Sequence, residues 1–253
     1  MSPQFIDLTR ENLAQQHLCC IIRSKTQHPG VEAKRRWLAE RLEEGHVFRK
    51  LDAKATVFIE YAPLETAWVP IVGENYLYIY CLWVLGEAKG KGYGRALMES
   101  CLSDAKQQAK SGICMLGFAK QKAWLSDQSF AKRFGFETVD RTDNGYELLA
   151  LSLDGSTPRF APDAKKMHIG EQGISIYYDD QCPYAVQQIL RLQQHAQKQQ
   201  IPLHLHHITS REQAKTVPCV FNNWAVFVNG NFETVNILDA RAIDRLWNKS
   251  VKG

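Results

Sequence analysis

Lys89-Gly90-Lys91-Gly92-Tyr93-Gly94-Arg95 stands between two stretches of different periodicity. Before it runs Leu77-Tyr78-Ile79-Tyr80-Cys81-Leu82-Trp83-Val84, apolar and aromatic throughout, the pattern of a buried strand. After it, Ala96, Leu97, Cys101, Leu102, Ala105 and Ala109 recur at helical spacing. The order is strand, glycine loop, helix. Three glycines let the backbone take conformations closed to other residues and approach a ligand with no Cβ in the way. A helix N-terminus leaves its first N–H groups unpaired and carries partial positive charge, so such a loop can cradle phosphate. Lys89, Lys91 and Arg95 add formal charge at the same place. The plainer reading of these residues is a glycine-rich turn before a surface helix.

The spacing separates one phosphate motif from another. A P-loop needs Gly-x-x-x-x-Gly-Lys-[Ser/Thr], which is not here. The dinucleotide fingerprint Gly-x-Gly-x-x-Gly fails because Arg95 stands at its third glycine place. The stretch resembles the acyl-CoA loop of the GNAT acetyltransferase superfamily, Arg/Gln-x-x-Gly-x-Gly/Ala, with Lys89 at the Arg/Gln position and Gly92 and Gly94 at the two small ones. A second stretch, Ser129-Phe130-Ala131-Lys132-Arg133-Phe134-Gly135-Phe136, is similar to the family's aromatic-Tyr-x-x-hydrophobic-Gly-Phe ending.

Composition bounds the alternatives. The chain has 253 residues, 45% apolar and 23% charged, as in ordinary globular proteins, and its net charge is only +4. There is no basic arm or Lys/Arg run, so no nucleic-acid partner is expected. No stretch approaches the ~20 apolar residues of a membrane span. The first residues lack the basic and apolar regions of a signal peptide, and seven scattered cysteines do not suggest a secreted disulfide framework. A cytoplasmic protein without membrane partners is expected.

Along the first half, Phe5 to Leu8 reads as a strand, and Thr9 as the cap of a helix beginning at Arg10. Gln27 to Gly30 reads as a turn before a helix from Val31 to Glu44. His46–Leu51 and Ala55–Tyr61 read as paired strands, Gly112–Phe118 as a buried strand, and Gln128–Arg133 as a short helix capped by Ser126-Asp127. Asn144-Gly145 is a hairpin signal before the strand Tyr146–Leu151. This order resembles the GNAT fold, an α+β arrangement with a mixed central sheet, over residues 1–153.

The resemblance implies acetyl-CoA as cosubstrate and transfer of its acetyl group to a small-molecule or peptide amine. It implies that Lys89, Gly90, Lys91, Gly92, Tyr93, Gly94 and Arg95 hold the coenzyme pyrophosphate. Main-chain groups of Leu82, Trp83 and Val84 would pair with the pantetheine arm like an added strand. Ala131 stands where many members carry an acid Tyr, so that role has no holder here. Tyr78 is near the place of a Glu base found in some members, with Glu60 and Glu74 as nearby alternatives. Tyr78 and Tyr80 also read as packing residues of a central strand. Trp68, Trp83 and Trp124 are equally open between pocket and core.

Asp154 to Asp163 is rich in turn formers, and residues 154–172 read as a linker. Beyond it, residues 173–253 read as a small α/β domain: strand Ile174–Tyr178, a helix with Val186, Ile189, Leu190 and Ala196 on one face, strand Leu203–Ile208, and a short helix Arg211–Ala214. An apolar run from Val217, a hairpin at Asn229-Gly230, a strand Asn231–Leu238 and a helix capped by Asp239 complete it. This order resembles a thioredoxin/glutaredoxin-like domain. Cys182-Pro183-Tyr184-Ala185 stands at its Cys-Pro-Tyr-Cys, and Val217-Pro218 at its cis-proline. Ala185 in place of the second Cys excludes a dithiol cycle within the motif. A thiol at a helix N-terminus is favoured as thiolate, and the resemblance would bring Cys219 within reach of Cys182. On a strand His204 and His206 share one face and His207 takes the other, so no metal site is expected. The two-domain arrangement resembles YoaP-type bacterial acetyltransferases.

Three functional classes follow. The first is an acetyl-CoA-dependent N-acetyltransferase with an accessory thioredoxin-like domain. The second is a thiol-based redox or thiophilic-ligand protein centred on Cys182, with the GNAT domain regulatory. The third, suggested by Ala131, is a non-catalytic acyl-CoA-binding module.

Overall fold

A computed structural model describes residues 4–18, 28–119, 125 and 128–252. Its elements in chain order are β1 (Phe5–Asp7), α1 (Pro29–Leu42), β2 (Val47–Leu51), β3 (Val57–Pro63), β4 (Ile71–Val72), β5 (Tyr76–Val84), α2 (Tyr93–Gln107), β6 (Gly112–Phe118), α3 (Gln128–Lys132), β7 (Glu137–Arg141), β8 (Tyr146–Ser152) and β9 (Arg159–Phe160). They continue with β10 (Ile174–Tyr178), α4 (Pro183–Gln199), β11 (Leu203–His207), α5 (Arg211–Lys215), β12 (Trp224–Val228), β13 (Asn231–Thr234) and α6 (Ala240–Lys252). The chain divides into two units: the described residues within 1–26, 35–67 and 71–160 form one, and those within 27–34, 68–70 and 161–253 the other.

In the first unit a seven-stranded sheet has the order β1-β2-β3-β5-β6-β8-β7. Its pairs are antiparallel except β5–β6, which is parallel and is joined through α2. A parallel pair requires such a crossover, and β3, β5 and β6 read as near-continuous apolar runs because both their faces are covered. One face packs on α2, where Leu97, Met98, Cys101 and Ala105 meet Val57, Ile59, Tyr61, Leu77, Ile79, Ile113, Met115 and Leu149. The expected apolar stripe of α2 is thus shifted: Met98 belongs to it, and Ala109 lies past the helix end with φ 49°.

Two departures in β5 shape the unit. Its register with β6 runs from Tyr76↔Gly112 to Ile79↔Met115 and stops, although both strands continue, to Val84 and Phe118. Its register with β3 changes from Glu60↔Cys81 to Tyr61↔Ile79, which leaves Tyr80 as the extra residue of a bulge. The bulge flips side-chain parity, so Leu77 and Ile79 before it and Leu82 and Val84 after it all reach the α2 side.

The N-terminal helix expected from Arg10 does not form over residues 10–16, which are turns. Asn12 takes the Thr9 amide on its side-chain oxygen and donates to the Asp7 carbonyl, closing the segment locally instead. Gln27, Trp124 and the expected Ser126-Asp127 cap lie outside the described residues. The Asn144-Gly145 turn joins β7 to β8, with Gly145 at φ 89°.

In the second unit the sheet order is β11-β10-β12-β13, with β10–β11 parallel around α4 and the other pairs antiparallel. One face carries Ile174, Ile176, Trp224 and Val226 against Ala185, Ile189, Leu192 and Ala196 of α4 and Ile243 of α6. Leu190, expected on that face, is 52% exposed, because it lies one helical step of about 100° from the Ala185–Ile189–Leu192–Ala196 stripe. The Asn229-Gly230 hairpin forms with both residues at positive φ, the geometry of a type I′ turn. Its return strand ends at Thr234, short of Leu238, and α6 starts where the Asp239 side chain accepts the Ala242 amide at 2.7 Å. No cis peptide bond occurs among the described residues, so the bond to Pro218 is trans. A bend at 218–220 follows, and β12 begins only at Trp224. Part of the stretch expected as a linker is ordered: β9 pairs with β4, and Met167 and Ile169 hydrogen-bond to Pro218 and Gly230.

A polar tie fixes α2 to its sheet. Arg49 of β2 is bidentate on Asp7 at 2.7 and 2.8 Å and reaches Asp104 of α2 at 3.1 Å, while the buried Tyr61 hydroxyl donates to the same Asp104. Burial holds the Tyr61 hydroxyl protonated well above its usual range. Asp104→Ala leaves that hydroxyl without its acceptor and is expected to cost about 1–3 kcal/mol in urea unfolding, with Asp104→Asn, which keeps an acceptor oxygen, losing less.

Candidate active site

Where β5 parts from β6, a cavity of about 620 Å³ opens. Leu82 to Leu85 form one wall, the loop and first turn of α2 another, and Leu125, Phe130 and Arg133 a third. The loop leaves β5 through a 3₁₀ turn at Gly86–Ala88, and Gly90 and Gly92 follow at φ 77° and 80°. That left-handed backbone suits glycine. Gly92 is the N-cap of α2 and brings no side chain, so the Tyr93, Gly94 and Arg95 amides of the first turn face outward with the positive end of the helix dipole. A Cβ on Gly94 would stand 3.5 Å from the Phe130 ring, ordinary contact, and one on Gly92 would meet nothing within 4 Å. Gly92 is held to glycine by its own backbone, whereas nothing in the fold requires Gly94 to be small.

Lys89, Arg95 and Arg133 bring three positive charges to this wall. Arg95 lies over the Phe134 ring at 5.6 Å and pairs with Glu99 at 3.3 Å; Arg133 lies over Phe130 at 5.7 Å. The cavity thus combines an unpaired strand edge, a helix N-terminus and cations, which suits an extended ligand with an anionic end.

Of the residues expected here, Leu82, Trp83, Val84, Lys89, Gly90, Gly92, Tyr93, Gly94 and Arg95 line this cavity, whereas Lys91 does not. Leu85, Ala88, Phe130 and Arg133 line it too, and were not foreseen as site residues. The i, i+3 spacing of Phe130 and Arg133 in the Phe-Gly-Phe motif was the available signal. Ala131 is 0% exposed and packs in the core beside α2.

On the other side of β5 lies an aromatic group with a buried acid. Glu60 of β3 and His46 are 1% and 4% exposed and meet at 2.9 Å. The His46 ring lies 5.1 Å from Tyr80 and 5.2 Å from Trp37, and Tyr78 is edge-on to Tyr80 at 4.9 Å. Tyr78 is buried and does not line the cavity; Tyr80 is half-buried, and Glu74 is exposed.

In the second unit Cys182 is the N-cap of α4, with Pro183 at the first helical position. The turn before it is held by the fully buried Asp179, which accepts from the Gln181 amide at 3.0 Å and from the Asn222 side chain at 2.6 Å. Cys219 is fully buried; its thiol donates to the Phe221 carbonyl at 2.9 Å, and burial pushes it up to about 12. No disulfide joins Cys182 and Cys219. The histidines of β11 have separate partners: His204 the Gln172 carbonyl, His206 Glu171 at 2.8 Å, and His207 Asp180 at 3.1 Å. Among the described residues no group of His, Cys, Asp and Glu is arranged to hold a metal, and no helix is long and apolar enough to cross a membrane.

Residues 11–136 match the Acetyltransferase (GNAT) family, and residues 202–245 match the YoaP-like family. The "Uncharacterized N-acetyltransferase YoaP" of Bacillus subtilis (strain 168) is 36% identical over 246 residues, 96% of this chain and 98% of that protein. Among solved structures, a GNAT family acetyltransferase from Brucella melitensis in complex with acetyl-CoA is similar at 14% identity and TM-score 0.41, over 62% of this chain and 92% of that one. The PaiA N-acetyltransferase from Thermoplasma acidophilum in complex with coenzyme A is similar at 16% identity and TM-score 0.41, over 60% and 99%. A strand that parts from its neighbour beside a glycine-capped helix is therefore found in a chain that belongs to the YoaP-type N-acetyltransferases of the GNAT family.

Proposed function

We propose that this protein transfers the acetyl group of acetyl-CoA to an amine, a small molecule or a peptide, at the parting of β5 and β6. The observation that carries the reading is the joint presence, in one cavity, of the Gly92-capped helix, three cations and the stretch Leu82–Val84 of β5, which lies beyond the pairing with β6. In this arrangement the amides from Lys89 to Arg95 hold the pyrophosphate, and the main chain of Leu82, Trp83 and Val84 pairs with the pantetheine arm. The thioester carbonyl then lies near the bulge, where the amine attacks it and the coenzyme leaves as thiolate. With Ala131 inside the core, that thiolate departs without a tyrosine acid.

The domain limits that fit this reading are residues 1–153 for acetyl transfer, 154–172 as connection and 173–253 as a thioredoxin-like accessory domain in a cytoplasmic protein. The order β11-β10-β12-β13, the α4 crossover and the Cys182-Pro183 start of α4 support the likeness to thioredoxin; the trans bond to Pro218 departs from it. A redox role gains little support from Cys219, whose buried thiol stays protonated at neutral pH. We assign the accessory domain no dithiol chemistry and leave the half-buried Cys182 as its candidate thiol. Tyr78, buried behind Tyr80, serves in this reading to pack the strand.

Titration calorimetry tests the cradle. The wild-type chain is expected to bind acetyl-CoA, and Gly92→Glu or Gly94→Glu to abolish binding, since each places a carboxylate where the diphosphate would lie. Undiminished binding by both variants would falsify this placement. For the thiols, iodoacetamide at pH 8 followed by mass spectrometry should modify Cys182 and spare Cys219, whose thiol is out of reach of the reagent and held protonated by burial. Equal modification of the two in the folded chain would contradict the burial described.

A further inference from the structure

We propose that the buried Glu60–His46 pair is the proton acceptor of the acyl transfer, acting by way of Tyr80 at the bulge of β5. This rests on the acetyl-transfer reading above; it takes Glu60, one of the alternatives the resemblance left open, and adds His46 and Tyr80, which neither the sequence motifs nor the cavity lining supplies.

A carboxylate and an imidazole with 1% and 4% exposure are costly to bury. They meet at 2.9 Å through the imidazole Nε2. A carboxylate that takes the Nε2 proton leaves the lone pair on Nδ1 and stabilises the imidazolium formed when Nδ1 takes a proton. The pair also stands beside the point at which β5 leaves β6. Glu60 faces Cys81 across the β3–β5 ladder and Tyr61 faces Ile79, so the bulged Tyr80 is the residue they straddle. Its ring is 5.1 Å from His46, tilted by 40°. Tyr80 is also the first residue of β5 beyond the pairing with β6, and it is half-buried, whereas Tyr78 and Trp37 beside it are buried. Titratable and charged neighbours of the pair come from two sides. Tyr80 faces it from β5, with Tyr78 edge-on to Tyr80. From α1 comes Arg41, over the Trp37 ring at 5.9 Å and tied to Glu40 and Glu44 at 3.3 and 3.0 Å.

The step balances as follows. The ammonium of the acceptor gives one proton to the Tyr80 oxygen as the Tyr80 hydroxyl proton passes to His46, so the amine becomes nucleophilic. Its lone pair attacks the thioester carbonyl, the C–N bond forms, and the C–S bond breaks with its electron pair on the coenzyme sulfur. The second amine proton neutralises that thiolate directly or through water, and His46 returns its proton to solvent. The predicted acceptor is therefore an alkylamine that is protonated at neutral pH, not an amine that is already neutral.

The full-length chain is assayed for coenzyme thiol release from acetyl-CoA with two probes, butylamine, protonated at pH 7, and aniline, neutral at pH 7. Tyr80→Phe, His46→Gln and Glu60→Gln are each expected to lower kcat for butylamine by about 10²–10⁴-fold. The KM for acetyl-CoA should stay unchanged, and turnover of aniline should change little. The butylamine rate of the variants should climb with pH as free amine accumulates, while the wild-type rate levels off once the pair is unprotonated. Tyr80→Phe removes only a hydroxyl from a half-buried ring and keeps the test readable if the buried substitutions unfold the chain. Equal losses for both amines, or no loss, in variants that still bind acetyl-CoA would overturn the proposal, as would a wild-type chain that binds acetyl-CoA and acetylates neither amine. A wild-type chain that does not bind acetyl-CoA brings down the transferase reading beneath it.

Discussion

The first unit depends on one strand serving two neighbours unequally. β5 is paired with β3 along its whole length but with β6 only as far as Ile79, and the Tyr80 bulge adjusts its twist between the two. Had the parallel ladder continued, its hydrogen bonds would have sealed the space in which a ligand backbone can pair. The split leaves the edge of β5 that faces away from β3 without β6 beside it from Leu82 to Val84. A β-bulge is the usual device for ending pairing and re-aiming side chains beside a site. The remaining parts follow from it. α2 is anchored by its apolar stripe and by the Asp104–Tyr61–Arg49 tie, which sets its N-terminus at the mouth of the split.

Much of this was legible in the sequence because local chemistry dictated it. Three glycines stand between a strand pattern and a helix pattern, and the two hairpins use positive φ at Gly145, Asn229 and Gly230, residues that tolerate it. What could not be read depends on partners distant in sequence. Nothing in Tyr78-Ile79-Tyr80-Cys81 announces which residue will bulge, since that is decided by register against β3. His46 and Glu60 are 14 positions apart in stretches that both read as strands, and nothing local in either says that their side chains meet until the sheet folds them together. Leu190 was misplaced for a related reason: apolar residues one step apart on a helix cannot both face a narrow sheet.

The second unit holds its buried Asp179 in an ordered turn. Asp179 and Asn222 tie the segment before α4 to the one before β12, which fixes Cys182 at the start of the helix without supplying it a second thiol. Cys219, held by the Phe221 carbonyl inside the fold, behaves as a small core residue. The contrast with the first unit is chemical: there the buried acid faces an imidazole that can change charge, and here it faces amides that cannot.

Gly92 has one more consequence. An N-cap residue commonly closes a helix start with its own side-chain oxygen, contributing about 1 kcal/mol, and this one has none to offer. Any anion seated on those amides completes the helix in its place, so that the occupant becomes a structural member of the protein it visits. On the proposed placement of the coenzyme, helix fraying and coenzyme supply are two ends of one equilibrium, and the thermal midpoint of the chain should report the acetyl-CoA concentration around it.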